Sequence, residues 1–188
     1  MNPLPPGYKL IPVKTTYLEM KSKPETTPVA MPDECELGQW QKPEFEEYKK
    51  IFSAVGGEWG WSGRLIIKEK ELLKMIRATT TEIFRLRCSG QTAGFVELDR
   101  SIPGQAEIVY FGLIPGFIGR GLGKFFLDWA IRKAWEGKTE RVWLHTCQYD
   151  HPGALAVYHR AGFAVVEEQI ETHPYPEEFI RRLSTAED

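Results

Sequence analysis

The chain has 188 residues, 42% hydrophobic and 27% charged, which suits one globular domain with a core that needs no staples. A net charge of −2 argues against a general nucleic-acid binder or a membrane-surface protein, and no apolar run nears the roughly 20 residues that cross a bilayer. Cys35, Cys88 and Cys147 are scattered and suggest neither a disulfide framework nor a paired zinc motif. With no signal-peptide pattern, a reducing cytoplasm is the expected location.

Met1 to Pro32 is proline-rich, and within it Thr15 to Lys21 alternates enough to predict a first strand. Ser22 to Pro32 reads as a loop. Phe45, Tyr48, Ile51, Phe52 and Val55 form an i, i+3, i+4 stripe, so Glu44 to Val55 predicts an amphipathic helix stopped at Gly56-Gly57. Trp59 and Trp61 follow in a glycine-rich loop that ends at Arg64, and Lys70 to Arg77 predicts a second helix. Thr81 to Cys88 and Gln91 to Leu98 read as two strands joined at Ser89-Gly90.

Ile108 to Ile114 is apolar and β-branched, and Pro115 ends it, which predicts a buried strand. Gly119, Gly121 and Gly123 then alternate ahead of a helix from about Leu122 to Trp135. With no Cβ atoms in the way, backbone N–H groups can converge there on an anion, reinforced by the positive end of the helix. The spacing is not that of a P-loop, because Ile118 and Phe125 stand where Gly and Ser/Thr are needed. Nor is it the Gly-x-Gly-x-x-Gly of a dinucleotide fold. Arg141 to Cys147 predicts another strand, and Asp150 is a candidate N-cap for a helix that runs to Ala161 and stops at Gly162. Ala164 to Glu171 predicts a strand, and 172–188 is a charged tail, at most partly ordered.

Two of these stretches resemble signatures of the GNAT superfamily of acyl-CoA-dependent N-acetyltransferases. One is Gln/Arg-x-x-Gly-x-Gly/Ala, met by Gly121 and Gly123 but with Ile118 in place of Gln/Arg. The other is Asn-x-x-Ala-x-x-x-Tyr-x-x-x-Gly-Phe, met by Ala154, Tyr158, Gly162 and Phe163, with His151 in place of Asn. The resemblance implies a mixed α/β fold, a twisted sheet with helices on both faces, in a single domain over 1–188. It implies acetyl transfer from acetyl-CoA to a small-molecule or peptide amine by direct attack in a ternary complex. A non-catalytic acyl-CoA-binding or regulatory module on the same fold is the alternative, and a homodimer is left open.

By the same resemblance, Ile118, Gly119, Arg120, Gly121, Leu122, Gly123 and Lys124 hold the coenzyme A pyrophosphate. Phe111, Gly112, Leu113 and Ile114 pair with the pantetheine arm, and Asp150, His151 and Tyr158 lie beside the cofactor. Tyr158 is the expected general acid, a phenol still protonated at neutral pH that can reprotonate the departing thiolate. Glu107 is the expected base, with Glu97 on the neighbouring strand its rival. Trp59, Trp61 and Arg64 are candidates to touch the acceptor, and Arg64 would suit a carboxylate-bearing one. His145, Cys147 and His151 lie close in sequence, but no further pair completes a zinc set, so no metal is expected.

Overall fold

The computed structural model describes residues 4–186. In chain order these form strands β1 (Tyr8–Met20) and β2 (Cys35–Gln39), helices α1 (Phe45–Gly56) and α2 (Glu69–Ile76), and strands β3 (Thr81–Cys88), β4 (Gln91–Asp99) and β5 (Gln105–Leu113). Helix α3 (Leu122–Ala134), strand β6 (Arg141–Cys147), helix α4 (Ala154–Arg160), strand β7 (Ala164–Pro176) and helix α5 (Glu177–Ala186) follow. The seven strands make one mixed sheet in the order β2-β3-β4-β5-β6-β1-β7. Every neighbouring pair is antiparallel except β5 with β6.

Helices cover both faces, as the fold class implies. The broad apolar surface of α3 buries Phe126, Ala130 and Ile131 against Leu98, Ala106 and Leu144 of the sheet. On the other face, Tyr48, Phe52 and Leu72 of α1 and α2 pack on Ile83 and Phe95. Each such side chain contributes about 1.5–3 kcal/mol by leaving water. The stripe on α1 is therefore the core contact its periodicity predicts. Gly56 ends it where a Cβ would overlap the indole of Trp61.

Both ends of the chain do more than the sequence suggests. Strand β1 begins seven residues earlier than expected and lies between β6 and β7, pairing with β6 over Thr15–Met20 and with β7 over Tyr8–Glu19. The segment read as a tail is instead ordered through residue 186: Thr172–Pro176 completes β7, and α5 packs Phe179 on Val13 and Tyr175. Pro174 and Pro176 obscured this, yet β7 is an edge strand, where a missing N–H costs no ladder bond.

The parallel pair is brief. β5 meets β6 only where Gln105–Glu107 face Arg141–Trp143. Beyond that point β6 stays with β1 while β5 stays with β4, through a register shift that leaves Val109 as an extra residue. The sheet therefore opens as a fork, and from Ile108 onward one edge of β5 has no strand beside it.

One expectation fails here. Cys35 and Cys88 are disulfide-bonded across the β2–β3 pair, with Cα atoms 4.0 Å apart, and Cys147 alone is free. Residues 53 apart in sequence are brought opposite each other by strand pairing, which spacing alone does not reveal. The pairing also removes the cysteine argument for a reducing compartment. Denatured without reductant, the protein should show one titratable thiol rather than three. Reduction should cost about 2–4 kcal/mol of stability, read as a fall in Tm. Three thiols in the unreduced protein would disprove the pairing.

Candidate functional site

Two cavities meet at the fork. The larger, about 1230 Å³, runs between the start of α3, the loop before α4 and the Ser22–Val29 segment. The smaller, about 130 Å³, lies beneath the fork, against the Gly60–Gly63 loop, His145 of β6 and the end of β7. Trp61, Phe111, Asp150 and Tyr158 line both. Those four residues mark the passage between cleft and chamber.

The turn before α3 has the glycine-dependent backbone its spacing suggests. Gly119 and Gly121 hold φ values of 81° and 80°, a left-handed conformation that disfavours any side chain, and Gly121 is the N-cap of α3. A Cβ at either position would meet nothing within 4 Å, so the backbone there is open on its outer side. The first N–H groups of α3 have no partner inside the helix and point out of its end. Ile118, Gly123 and Lys124 line the cleft, as do Phe111, Gly112 and Leu113 of the unpaired edge of β5. Arg120 stacks its guanidinium on Phe117, 5.0 Å from the ring centre. Ile114 packs on the α1–α2 side of the core and Leu122 is buried against the sheet, so neither is among the residues lining the cleft.

The Ser22–Val29 segment is the part of this cleft that sequence reasoning missed. It is tied down by the Val29 N–H, which donates to Asp128 at 3.0 Å, and by Arg132, which donates to the Thr26 carbonyl at 2.6 Å. Lys23 on this segment faces the same cavity as Lys124 and Arg160. Proline and threonine gave no periodic pattern to reveal it.

Asp150 is not the N-cap it was expected to be. Helix α4 begins at Ala154 with no side-chain cap, and the Asp150 carboxylate turns instead into the passage. It accepts hydrogen bonds from the Trp61 indole at 2.8 Å, the Thr146 hydroxyl at 2.8 Å and the Cys147 N–H at 2.8 Å. The carboxylate thereby joins the α1–α2 loop to the end of β6. His151 lies edge-on to Trp59, ring centres 5.1 Å apart, on the cleft side.

Tyr158 projects from α4 into the passage and packs edge-on against Phe163. Its hydroxyl makes no hydrogen bond with the described residues, so its proton is free for a ligand. Burial, and then the nearby charge of Asp150, push the phenol well above its ordinary pKa, so it stays protonated.

Glu107 lies on β5 at the crotch of the fork and faces His145 Nδ1 at 3.5 Å. Burial disfavours the imidazolium, but the hydrogen bond and charge of Glu107 outweigh it and raise the pKa of His145 above 6.5. Sequence reasoning set His145 aside with the metal question. Its strand position two residues before Cys147 was the signal, since both then face the chamber.

Glu97 and Arg64 are brought to each other and away from both cavities. The Arg64 guanidinium donates to Glu97, the Tyr48 hydroxyl donates to the other carboxylate oxygen at 2.5 Å, and Arg64 covers the Tyr110 ring at 5.3 Å. Glu97 is 1% exposed and Arg64 8%. A carboxylate held by a buried guanidinium and a phenol, outside both cavity linings, is not placed to meet an acceptor, and a guanidinium so paired has no charge to spare for one. Trp61, by contrast, lines both cavities, while Trp59 lines the cleft.

Comparison with known proteins agrees with this geometry. Residues 33–163 match the family model described as acetyltransferase (GNAT) family. No curated protein matches the sequence. Among solved structures, a GCN5-related N-acetyltransferase from Sphaerobacter thermophilus superposes with a TM-score of 0.64 at 16% identity, over 89% of this chain and 52% of that one. A GCN5-related N-acetyltransferase from Kribbella flavida gives 0.56 at 15%, over 90% of this chain and 60% of that one. The PaiA N-acetyltransferase of Thermoplasma acidophilum, in complex with coenzyme A, gives 0.52 at 16%, over 76% of this chain and 98% of that one. The chain thus spans little more than half of the first two.

The Glu97 pair generates a stability prediction. Glu97→Ala leaves the Arg64 guanidinium buried and unpaired and should cost about 3–5 kcal/mol, measured by urea unfolding. A loss below about 1 kcal/mol would mean that the two charges are solvated rather than paired.

Proposed function

Since the chain belongs to the GNAT family of acetyltransferases, we propose that it moves an acetyl group from acetyl-CoA to a primary amine by direct attack, both substrates being bound together. The observation that carries this reading is the junction at the fork. A glycine-lined cleft with a helix N-terminus opens on one side, a small acidic chamber on the other, and Tyr158 stands between them.

The residues present fit coenzyme A. The open backbone at Gly119 and Gly121 and the end of α3 would receive the pyrophosphate, with Lys23, Lys124 and Arg160 as cations around the cleft. Loss of the Gln/Arg at Ile118 is tolerable because backbone N–H groups carry the contact. The edge of β5 from Phe111 to Leu113 would hold the pantetheine arm, and one of its N–H groups would polarise the thioester carbonyl. When bound, acetyl-CoA supplies an acetyl group activated as a thioester.

An alkylamine has a pKa near 10 and must lose a proton before it can attack. His145 receives that proton on the chamber side, and Glu107 holds the resulting imidazolium. As the nitrogen–carbon bond forms and the carbon–sulfur bond breaks, Tyr158 would give its proton to the sulfur, and the second proton that the nitrogen sheds on becoming an amide would restore the Tyr158 phenol. Glu107, expected from sequence as the base, thus becomes the group that orients and charges the base.

Titration calorimetry with acetyl-CoA tests the reading first. Micromolar binding is expected, and no binding in the millimolar range would overturn it. Tyr158→Phe should then lower turnover by about 10²-fold or more while leaving acetyl-CoA affinity unchanged. A non-catalytic binding module would show affinity in both proteins and turnover in neither.

The pH dependence follows from the sign at His145. The base works unprotonated and Glu107 raises its pKa, so kcat/KM should fall on the acid side through an inflection above 6.5. Glu107→Gln removes the raising charge and should move that inflection to lower pH. An inflection that stays in place would remove Glu107 from the role.

A further inference from the structure

The chamber beneath the fork has a charge pattern that the cleft does not share. Lys23, Lys124 and Arg160 face the cleft beside Glu25, Asp128 and Asp150, whereas among the described residues no lysine or arginine lines the chamber. Three carboxylates surround the chamber instead. Asp150 lines it directly. Glu107 of β5 stands behind His145, and Glu171 of β7 stands behind His173 at 3.0 Å while accepting the Tyr17 hydroxyl of β1 at 2.7 Å. Arg64, whose guanidinium covers Tyr110 of the chamber wall, is paired with Glu97 of β4. Even with both imidazoles protonated, three negative charges face two positive ones.

The walls are aromatic. Trp61, Tyr110 and Tyr175 border the chamber, and Tyr17 and Trp143 stack beyond His145, ring centres 6.4 Å apart. Aromatic faces favour a cation held over them. From this arrangement we infer that the acceptor is a small cationic amine on an apolar or aromatic body, without a carboxylate of its own. The inference rests on the acetyltransferase reading above.

Two titratable groups in the walls feel burial first and the carboxylates after it. Burial and then the charge of Asp150 raise the Cys147 thiol to about 11, with Glu171 adding to it. Burial raises the Tyr110 phenol to about 12; Arg64 opposes the shift while Glu97 and Glu107 add to it. A second carboxylate on the acceptor would enter this field at a cost, and the cavity offers it no cation. Arg64, the residue that seemed to promise a carboxylate partner, is already occupied. A cationic amine entering the chamber also arrives beside His145, the group that can take its proton.

The test uses matched probes in a thiol-release assay with acetyl-CoA: tyramine against tyrosine, histamine against histidine, and cadaverine against lysine. Calorimetry with acetyl-CoA is run first. The expected result is that each decarboxylated amine exceeds its amino acid in kcat/KM by at least about tenfold. In Glu171→Gln, that preference should shrink while the dissociation constant for acetyl-CoA stays the same. Amino acids turned over as well as their partners would overturn the inference. So would acetyl-CoA binding with none of the six compounds acetylated, and both results leave the cofactor reading standing. Failure of acetyl-CoA to bind at all would instead overturn the acetyltransferase reading, and this inference with it.

Discussion

Three paired residues hold β5 to β6, and the parting of the strands beyond them organises the site. A continuous parallel ladder would satisfy the N–H and C=O groups of β5 and leave no edge for a ligand. The extra residue at Val109, which bends β5 where the pairing ends, accompanies the parting. Close contacts then fix the width of the opening. A Cβ at Gly112 would lie 2.5 Å from Val55, so β5 can approach α1 only with glycine there. Asp150 fastens the far side by joining Trp61 to the end of β6.

The buried Arg64–Glu97–Tyr48 cluster has consequences for charge as well as packing. Burying an ion pair is expensive, and apolar residues of the same volume often stabilise as well. Its effect at this position is to pair the Arg64 guanidinium while holding it over Tyr110 of the chamber wall. The chamber is left to Asp150, Glu107 and Glu171. Lysine and arginine line only the cleft, where Glu25 and Asp128 stand among them. The fork thereby separates a cleft of mixed charge from a chamber without lysine or arginine in its described lining, with Tyr158 between them.

What was legible in the sequence was local. The alternating glycines, the Ala154–Tyr158–Gly162–Phe163 spacing, the α1 stripe and the β3–β4 hairpin each depend on residues a few positions apart, and each stands where expected. Long-range pairing was not legible. Nothing in Tyr8–Lys14 signals that it lies beside β7, and Pro12 argues against a strand. It is tolerated because β6 reaches only to Thr15, so one side of β1 is unpaired at Pro12. The Cys35–Cys88 bond and the Glu97–Arg64 pair were hidden for the same reason, each created by register rather than by spacing. Asp150 misled because an aspartate ahead of a helix usually caps it, and here three donors elsewhere compete more strongly.

Asp150 also bears on the route proposed for the acetyl group. Its charge raises the proton affinity of Tyr158, His145 and Cys147 together. In the proposed reaction this would keep a proton on Tyr158 for the leaving sulfur and strengthen His145 as a base. For Cys147 the same field works against catalysis. A thiol raised to about 11 is almost wholly protonated at neutral pH, and the thiolate is the nucleophile. A route that parks the acetyl group on Cys147 would therefore need the anion this site disfavours most. Direct attack by the amine needs only the neutral nucleophile that His145 can generate and the protonated phenol that Asp150 preserves. The electrostatics that suit the acid and the base thus count against a covalent intermediate.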